Sequence, residues 1–278
     1  MQELRGIPVV NALAEKLAGD ILRLSQKGIV PKLAVVRIGE REDDLAYEKG
    51  IMRRFATLKA IAEVFVLPTG VTQSQLEETI ISLNEDKNVH GILLFRPLPR
   101  HLSEGRIKTI ILADKDVDCM GISNTAHVFA GNKNGCPPCT PQAVLELLDF
   151  YNIETIGKKI VIVGRSLVVG KPLAMLLLVR NATVTICHTK TVNLADECRM
   201  ADILVACAGA AKMITADFVH PKQIVIDVGI SMDNGKLCGD VDYEAVADKV
   251  QAITPVPGGV GAVTTSVLLK HTIQSAMR

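Results

Sequence analysis

The stretch with the most chemical content is VIVGRSLVVGKP, Val161 to Pro172. An aliphatic run meets Gly164, Arg165 and Ser166, then Gly170 and Lys171. This reads as a buried strand, a glycine turn and a helix start. Backbone N–H groups cluster at such a start, and a pyrophosphate can sit on them. A P-loop would need G-x-x-x-x-G-K and then a hydroxyl for magnesium. Here the glycines are further apart, and Pro172 stands at the hydroxyl position. A dinucleotide turn usually reads G-x-G-x-x-G, and here the middle glycine is replaced. An ordinary strand-to-helix turn without a ligand has the same composition, so these residues alone leave both readings open. The next apolar run, TVTIC, leads into His188, Thr189 and Lys190, with no carboxylate to grip a ribose hydroxyl. A 2′-phosphate is repelled by a carboxylate and attracted by Arg, Lys and hydroxyl groups. A dinucleotide bound here is therefore expected to be NADP rather than NAD. The plain alternative for His188 and Lys190 is a solvated strand end.

Two other stretches could meet a ligand. TPVPGGVGAVTTS, 254–266, stiffens the backbone with prolines and lets it approach something closely through its glycines. A tight structural crossing would use the same composition. KDVDCMG, 115–121, puts Asp116 and Asp118 on a loop. Acids there are usually solvated, yet clefts between domains are where substrates bind. The 7 cysteines include Cys136-Pro-Pro-Cys139. No second pair stands at structural-zinc spacing, and the pair lies in a Gly/Pro/Asn-rich loop rather than where a strand opens a helix. Both are read as loop cysteines, and no metal site is expected.

These residues must be positioned by the elements around them. Apolar strands are expected at 33–38, 62–67, 91–95, 159–163, 183–187, 202–207 and 223–228, and helices at 9–26, 43–60 and 73–86. Strand–helix alternation predicts parallel sheets covered on both faces, an α/β fold. The 278 residues suit two domains, and the Asp/Asn/Gly/Pro-rich region 114–140 marks the boundary. The expected division is a first α/β domain over 1–138 and a Rossmann-like parallel-sheet domain over 139–261. The last segment, 262–278, has helical spacing and no strand partner, and is expected to return to the first domain. Lys+Arg number 31 against 30 Asp+Glu, which argues against nucleic-acid or membrane-surface binding. No apolar run reaches the ~18 residues of a membrane span, and the first residues lack signal-peptide character. A cytoplasmic setting is expected.

KDVD, PCTP (138–141), VGRSLVVGKP, ATVTICHTKT (182–191), VIDVGIS (225–231), GKLCGDVDYEAV (235–246) and TPVPGGVG (254–261) follow one another in this order. Together they closely resemble the methylenetetrahydrofolate dehydrogenase/methenyltetrahydrofolate cyclohydrolase family. The resemblance implies that 1–138 binds folate and carries catalysis, and that 139–261 binds NADP. It makes Gly164, Arg165 and Ser166 the NADP turn, places Thr189 at the 2′-phosphate side, and has Ile230 line the nicotinamide pocket. Pro257, Gly258 and Gly259 fall on the substrate side. Tyr47 would stack on the aminobenzoyl part of the folate, and Asp118 would hold the pterin. Tetrahydrofolate derivatives are the implied ligands, and a homodimer through the nucleotide domain is the implied assembly. The implied chemistry is hydride transfer from 5,10-methylenetetrahydrofolate to NADP, then hydrolysis of the methenyl product to 10-formyltetrahydrofolate.

The chain departs from the family pattern at the hydrolytic step. The family reads Tyr-x-x-x-Lys, with the Lys as acid/base group and a Gln supporting it. Tyr47 is present, but Ile51 stands at the Lys position and Phe95 at the Gln position. Arg96 replaces an apolar residue, and Cys119 a Gly. Lys49 would point ~200° round the helix from Tyr47. Arg54 would lie ~10 Å further along the axis, and its pKa above ~12 makes it a poor proton shuttle. Hydrolysis needs a proton-transfer group, whereas hydride transfer needs mainly alignment. The expectation is an NADP-dependent dehydrogenase with the cyclohydrolase step weak or absent. The alternatives are both activities served by another shuttle or a water chain, a non-catalytic folate- or nucleotide-binding relative, and an unrelated NADP dehydrogenase.

Overall fold

The computed structural model describes residues 1–132, 134–233 and 235–278. Its first half runs β1 (Gln2–Glu3), α1 (Gly6–Gln26), β2 (Lys32–Ile38), α2 (Glu42–Thr57), β3 (Ile61–Leu67), α3 (Gln73–Glu85), β4 (Gly91–Leu94), α4 (Glu104–Ile110) and α5 (Ile122–Phe129). Then come α6 (Cys139–Phe150), β5 (Lys159–Val163), α7 (Gly170–Val179), β6 (Thr183–Cys187), α8 (Leu194–Arg199), β7 (Ile203–Ala206) and β8 (Ile224–Asp227). The chain closes with β9 (Ser231–Asp233), β10 (Lys236–Cys238), α9 (Tyr243–Val246), β11 (Ala252–Ile253) and α10 (Val260–Ala276). The seven expected strands are all present, within a residue or two of their expected limits.

Two compact units form. One holds residues 12–128, 132–139 and 265–278; the other holds 1–11, 129–131 and 140–264. The first unit is built on a parallel sheet of order β3-β2-β4. Leu33 to Val36 of β2 are fully buried, because the central strand of a parallel sheet is covered on both faces. The Leu and Val side chains each contribute about 1.5–3 kcal/mol by leaving water. The second unit is built on a six-stranded sheet of order β1-β11-β8-β7-β5-β6, and its pairings are parallel. As expected, the C-terminal segment packs with the first unit. The His271 Nδ1 lies 2.9 Å from the Val117 carbonyl oxygen, and a Cβ on Gly91 would meet the Thr272 hydroxyl. The first eleven residues, in contrast, count with the second sheet through the pairing of β1 with β11.

Local chemistry sets the helix starts. Thr72 and Gln75 form a reciprocal capping box on α3. Glu42, Asp43 and Asp44 crowd the first turn of α2, where the helix dipole favours negative charge. The far end of α3 is capped from a distance. The Lys115 ammonium donates to the carbonyls of Leu83, Asn84 and Asp86 at 2.9, 2.7 and 2.6 Å. Burial lowers its pKa. Helix ends leave carbonyls without intrahelical partners, and this side chain satisfies them while fixing the start of the KDVD loop. Lys115→Met keeps the stem and removes three charge-assisted bonds. Denaturant unfolding should register a loss of roughly 2–4 kcal/mol, and an unchanged midpoint would mean that water serves those carbonyls equally well.

Candidate functional site

In the first unit, α2, the turn after β4 and the KDVD loop bring together Tyr47, Ile51, Phe95, Arg96 and Asp118. Arg41, just before α2, grips Asp44 through two nitrogens at 2.8 and 2.7 Å and donates to the Arg96 carbonyl at 3.0 Å. This fork ties the helix start to the turn. The rings of Tyr47 and Phe95 lie 5.7 Å apart at 35°, within the range of favourable aromatic pairing. Arg37 is buried under this corner, donating to Glu48 at 2.7 Å and to the Gly39 carbonyl. Ile51 is fully buried and Phe95 nearly so. Lys49 is exposed. Burial lowers the pKa of Arg54, and its buried Nε has no hydrogen-bond partner among the described residues.

Asp118 is held by backbone and by charge. Its Oδ1 accepts from the Cys139 N–H at 2.8 Å, and its Oδ2 lies 3.4 Å from Arg96. Arg96 also faces Glu104 at 3.6 Å, and Lys108 pairs with Glu104 at 2.8 Å. Asp118, Arg96, Glu104 and Lys108 thus form a chain of alternating charges beside the loop. Beneath it, Asp116 is buried. Its two oxygens accept from the N–H groups of Met120 and Gly121 and from the Asn124 amide. Burial raises its pKa, and these donors pull it back. Cys139 is not the loop residue expected from the sequence. It opens α6 and is buried, because its N–H and thiol are spent on Asp118 and on the Val117 carbonyl.

In the second unit, the turn between β5 and α7 is closed tightly by its glycines. Gly164 has φ of 139°, and a Cβ on it would lie 2.3 Å from the Cys207 carbonyl oxygen. A Cβ on Gly170 would meet the Gly164 carbonyl oxygen at 2.1 Å. Ser166 Oγ accepts from the Val169 N–H at 3.0 Å at the start of α7. Arg165, Ser166 and Thr189 are exposed, and Thr189 follows β6, the neighbour of β5. Glycines that admit no side chain, a helix start and an exposed guanidinium make a cradle that fits phosphates.

Ile230, Pro257, Gly258 and Gly259 line a separate cavity of this unit, about 300 Å³, whose wall includes Asp227. Sequence reasoning passed over this carboxylate and its neighbour Asp240, although both stand in the motifs VIDVGIS and GKLCGDVDYEAV. An acid one or two residues from a glycine was the available signal. Burial pushes the Asp227 pKa up to about 6; the N–H groups of Val241, Asp240 and Gly229 oppose the rise, and the charge of Asp240 adds to it. The folded chain thus holds this proton more tightly than the unfolded chain, whose carboxyl has the ordinary value of 3.8. Ionised Asp227 costs stability above about pH 6, and that cost fades as the pH falls through 6 towards the ordinary value. Asp227→Asn cannot titrate. The stability of the natural protein relative to this variant should therefore drop by roughly 1–3 kcal/mol between about pH 4 and pH 6.5. Denaturant unfolding of both proteins at the two pH values measures it, and a pH-independent difference would contradict the assignment.

Residues 4–118 match the family model of the tetrahydrofolate dehydrogenase/cyclohydrolase catalytic domain, and residues 138–278 match that of its NAD(P)-binding domain. The bifunctional protein FolD of Carboxydothermus hydrogenoformans is 52% identical over 277 residues, covering 99% of this chain and 96% of its own. That of Clostridioides difficile is 50% identical over 275 residues, with the same coverage of 99% and 96%. The crystal structure of the bifunctional FolD enzyme of Campylobacter jejuni superposes with a TM-score of 0.97 at 39% identity, covering 100% of this chain and 99% of that one. The Trypanosoma brucei dehydrogenase-cyclohydrolase, solved in complex with NADP cofactor and an inhibitor, gives 0.92 at 35% identity, covering 99% and 96%. With both domains matched and nearly every residue covered, the chain belongs to the tetrahydrofolate dehydrogenase/cyclohydrolase family.

Proposed function

We propose that this chain oxidises 5,10-methylenetetrahydrofolate with NADP and hydrolyses the methenyl product to 10-formyltetrahydrofolate. The reading includes tetrahydrofolate derivatives as ligands, a homodimer and a cytoplasmic setting. The observation that carries the oxidoreductase half is the turn at Gly164–Gly170, whose cradle has an exposed Arg165 and no acid in His188–Lys190, directly after β6. NADP supplies the hydride acceptor. Arg165, Ser166 and Thr189 take its phosphate groups, and Ile230 lies in the wall of the cavity that receives the nicotinamide ring. Tyr47 stacks on the aminobenzoyl part of the folate, Asp118 accepts from the pterin donors, and Pro257 to Gly259 shape the substrate side. Hydride transfer then needs only that both ligands be held in line.

The names of the relatives favour two activities over the weakened cyclohydrolase expected from the sequence. The bifunctional proteins of Carboxydothermus hydrogenoformans and Clostridioides difficile match this chain over 99% of its length. A second reading, dehydrogenase alone, draws on one observation. Ile51 and Phe95 fill the acid/base and supporting positions with buried apolar side chains, and neither can move a proton. Under the first reading, the proton leaves through another group or a water chain.

Decay of the methenyl chromophore in the purified protein separates the two readings. The bifunctional reading expects hydrolysis at least ~10²-fold above the buffer rate. Hydrolysis at the buffer rate, with NADPH formation intact, would establish the second reading. Ile51→Lys with Phe95→Gln should then restore hydrolysis, and Ile51→Lys alone should restore less. Cofactor choice has its own test. Arg165→Ala removes a charge-assisted contact worth about 1.5–3 kcal/mol, so the KM for NADP should rise ~10-fold or more while that for NAD hardly moves. Equal losses for both cofactors would remove the 2′-phosphate role of Arg165.

A further inference from the structure

The proposed reaction leaves the carboxylates of VIDVGIS and GDVD without a task, yet they are among the most heavily bonded side chains of the second unit. Asp240 is fully buried. Its Oδ2 accepts from the N–H groups of Ala208 and Gly209 at 2.6 and 3.0 Å, and its Oδ1 from Ala210 at 2.8 Å. Those three consecutive amides form the loop after β7. The backbone on the other side of Asp240 is held in turn. Asp227 Oδ1 accepts from the Gly229 and Asp240 N–H groups at 2.9 and 3.0 Å, and Oδ2 from Val241 at 2.9 Å. The Asp227 N–H donates to the Thr254 hydroxyl at 2.7 Å, which opens the Pro/Gly turn. The Asp240 carboxylate therefore ties the loop after β7 to the segment after β10. The Asp227 carboxylate ties that segment to the loop after β8, and the Asp227 N–H ties this loop to the turn at 254–259. The last two, loop and turn, wall the 300 Å³ cavity.

The approach is too close for any side chain on the flanking glycines. A Cβ on Gly229 would lie 2.3 Å from the Asp240 carboxylate, and one on Gly239 would lie 1.9 Å from that of Asp227. Three convergent N–H groups also make a concavity that attracts anions. Asp240 fills it from within, leaving the turn after β5 as the place for the dinucleotide phosphates.

We propose that Asp227 and Asp240 are positioning residues for the nicotinamide end of the dinucleotide, clasping the loops that shape its cavity without touching the reacting atoms. The proposal rests on the reading of this cavity as the nicotinamide pocket. Its signature is a split between the two halves of the cofactor, because the clasp serves one half and the Gly164 turn the other.

Binding of NADP and of 2′,5′-ADP, which carries the phosphorylated adenosine without nicotinamide, should be measured on the natural protein and on Asp240→Asn, together with the KM for each substrate. The Asn amide faces backbone donors and loses one acceptor. NADP binding should weaken ~10-fold or more, with 2′,5′-ADP binding within about twofold of the natural protein. The KM for NADP should rise while that for methylenetetrahydrofolate stays. Should Asp240→Asn not fold, Gly229→Ala, which displaces the same carboxylate, should give the same split. Equal weakening of both ligands, or of neither, would overturn the proposal. A natural protein that bound neither ligand would instead overturn the nucleotide reading beneath it.

Discussion

A parallel strand ends abruptly, and the loop beyond it carries backbone N–H groups that no ladder can satisfy. In such sheets these loops are also where ligands bind. In this chain both needs are met by carboxylates that accept from the loop amides. Asp116 takes Met120 and Gly121, Asp118 takes Cys139, Asp227 takes Gly229, Asp240 and Val241, and Asp240 takes Ala208 to Ala210. The shape of the corner around Tyr47 and of the cavity near Ile230 both depend on these bonds. Each unit solves the problem separately with the same chemistry.

The solution has an energetic penalty and a reason to persist. Taking a carboxylate out of water favours its neutral form, and burial is the largest cause of the raised pKa of both Asp116 and Asp227. Replacing either by an apolar residue would strand several buried donors, each costing about 1–3 kcal/mol. Keeping a costly acceptor is therefore better than losing it. The same closeness excludes side chains at positions 229 and 239, so the glycines and the acids of these motifs form one physical unit.

The corner around Tyr47 follows a different rule. At positions 51 and 95 the chain has packed apolar groups into the interior, and neither side chain carries a proton or needs a polar partner. Charge remains at its rim, where Arg96 stands between Asp118 and Glu104, with Lys108 behind. The proposed orientation of a ligand by Tyr47 and Asp118 needs no titration at residue 51. An isoleucine at position 51 cannot itself move a proton. The relatives that bear a bifunctional name make the route of that proton the central chemical question of this site.

Much of the architecture was legible in the amino-acid order. Strands of a parallel sheet are covered on both faces, so KLAVVRI, KIVIV and IVID appear as continuous apolar runs wherever they lie in the fold. The turn at Gly164 was legible because only glycine tolerates its backbone, and the departure at Ile51 only through the resemblance to a family that has Tyr-x-x-x-Lys there, with helical spacing turning Lys49 away from Tyr47. What the order of residues could not show was who partners whom. The two-residue strand β1 has no periodicity, and its partner β11 lies about 250 positions away. Lys115 reaches carbonyls 29 to 32 positions back. Asp240 gathers amides 30 to 32 positions before it, and Arg96 meets Asp118 across 22. Local pattern encodes burial and backbone shape, which each residue carries with it. The partner of a buried charge is chosen only when the packed strands bring distant loops to the same edge.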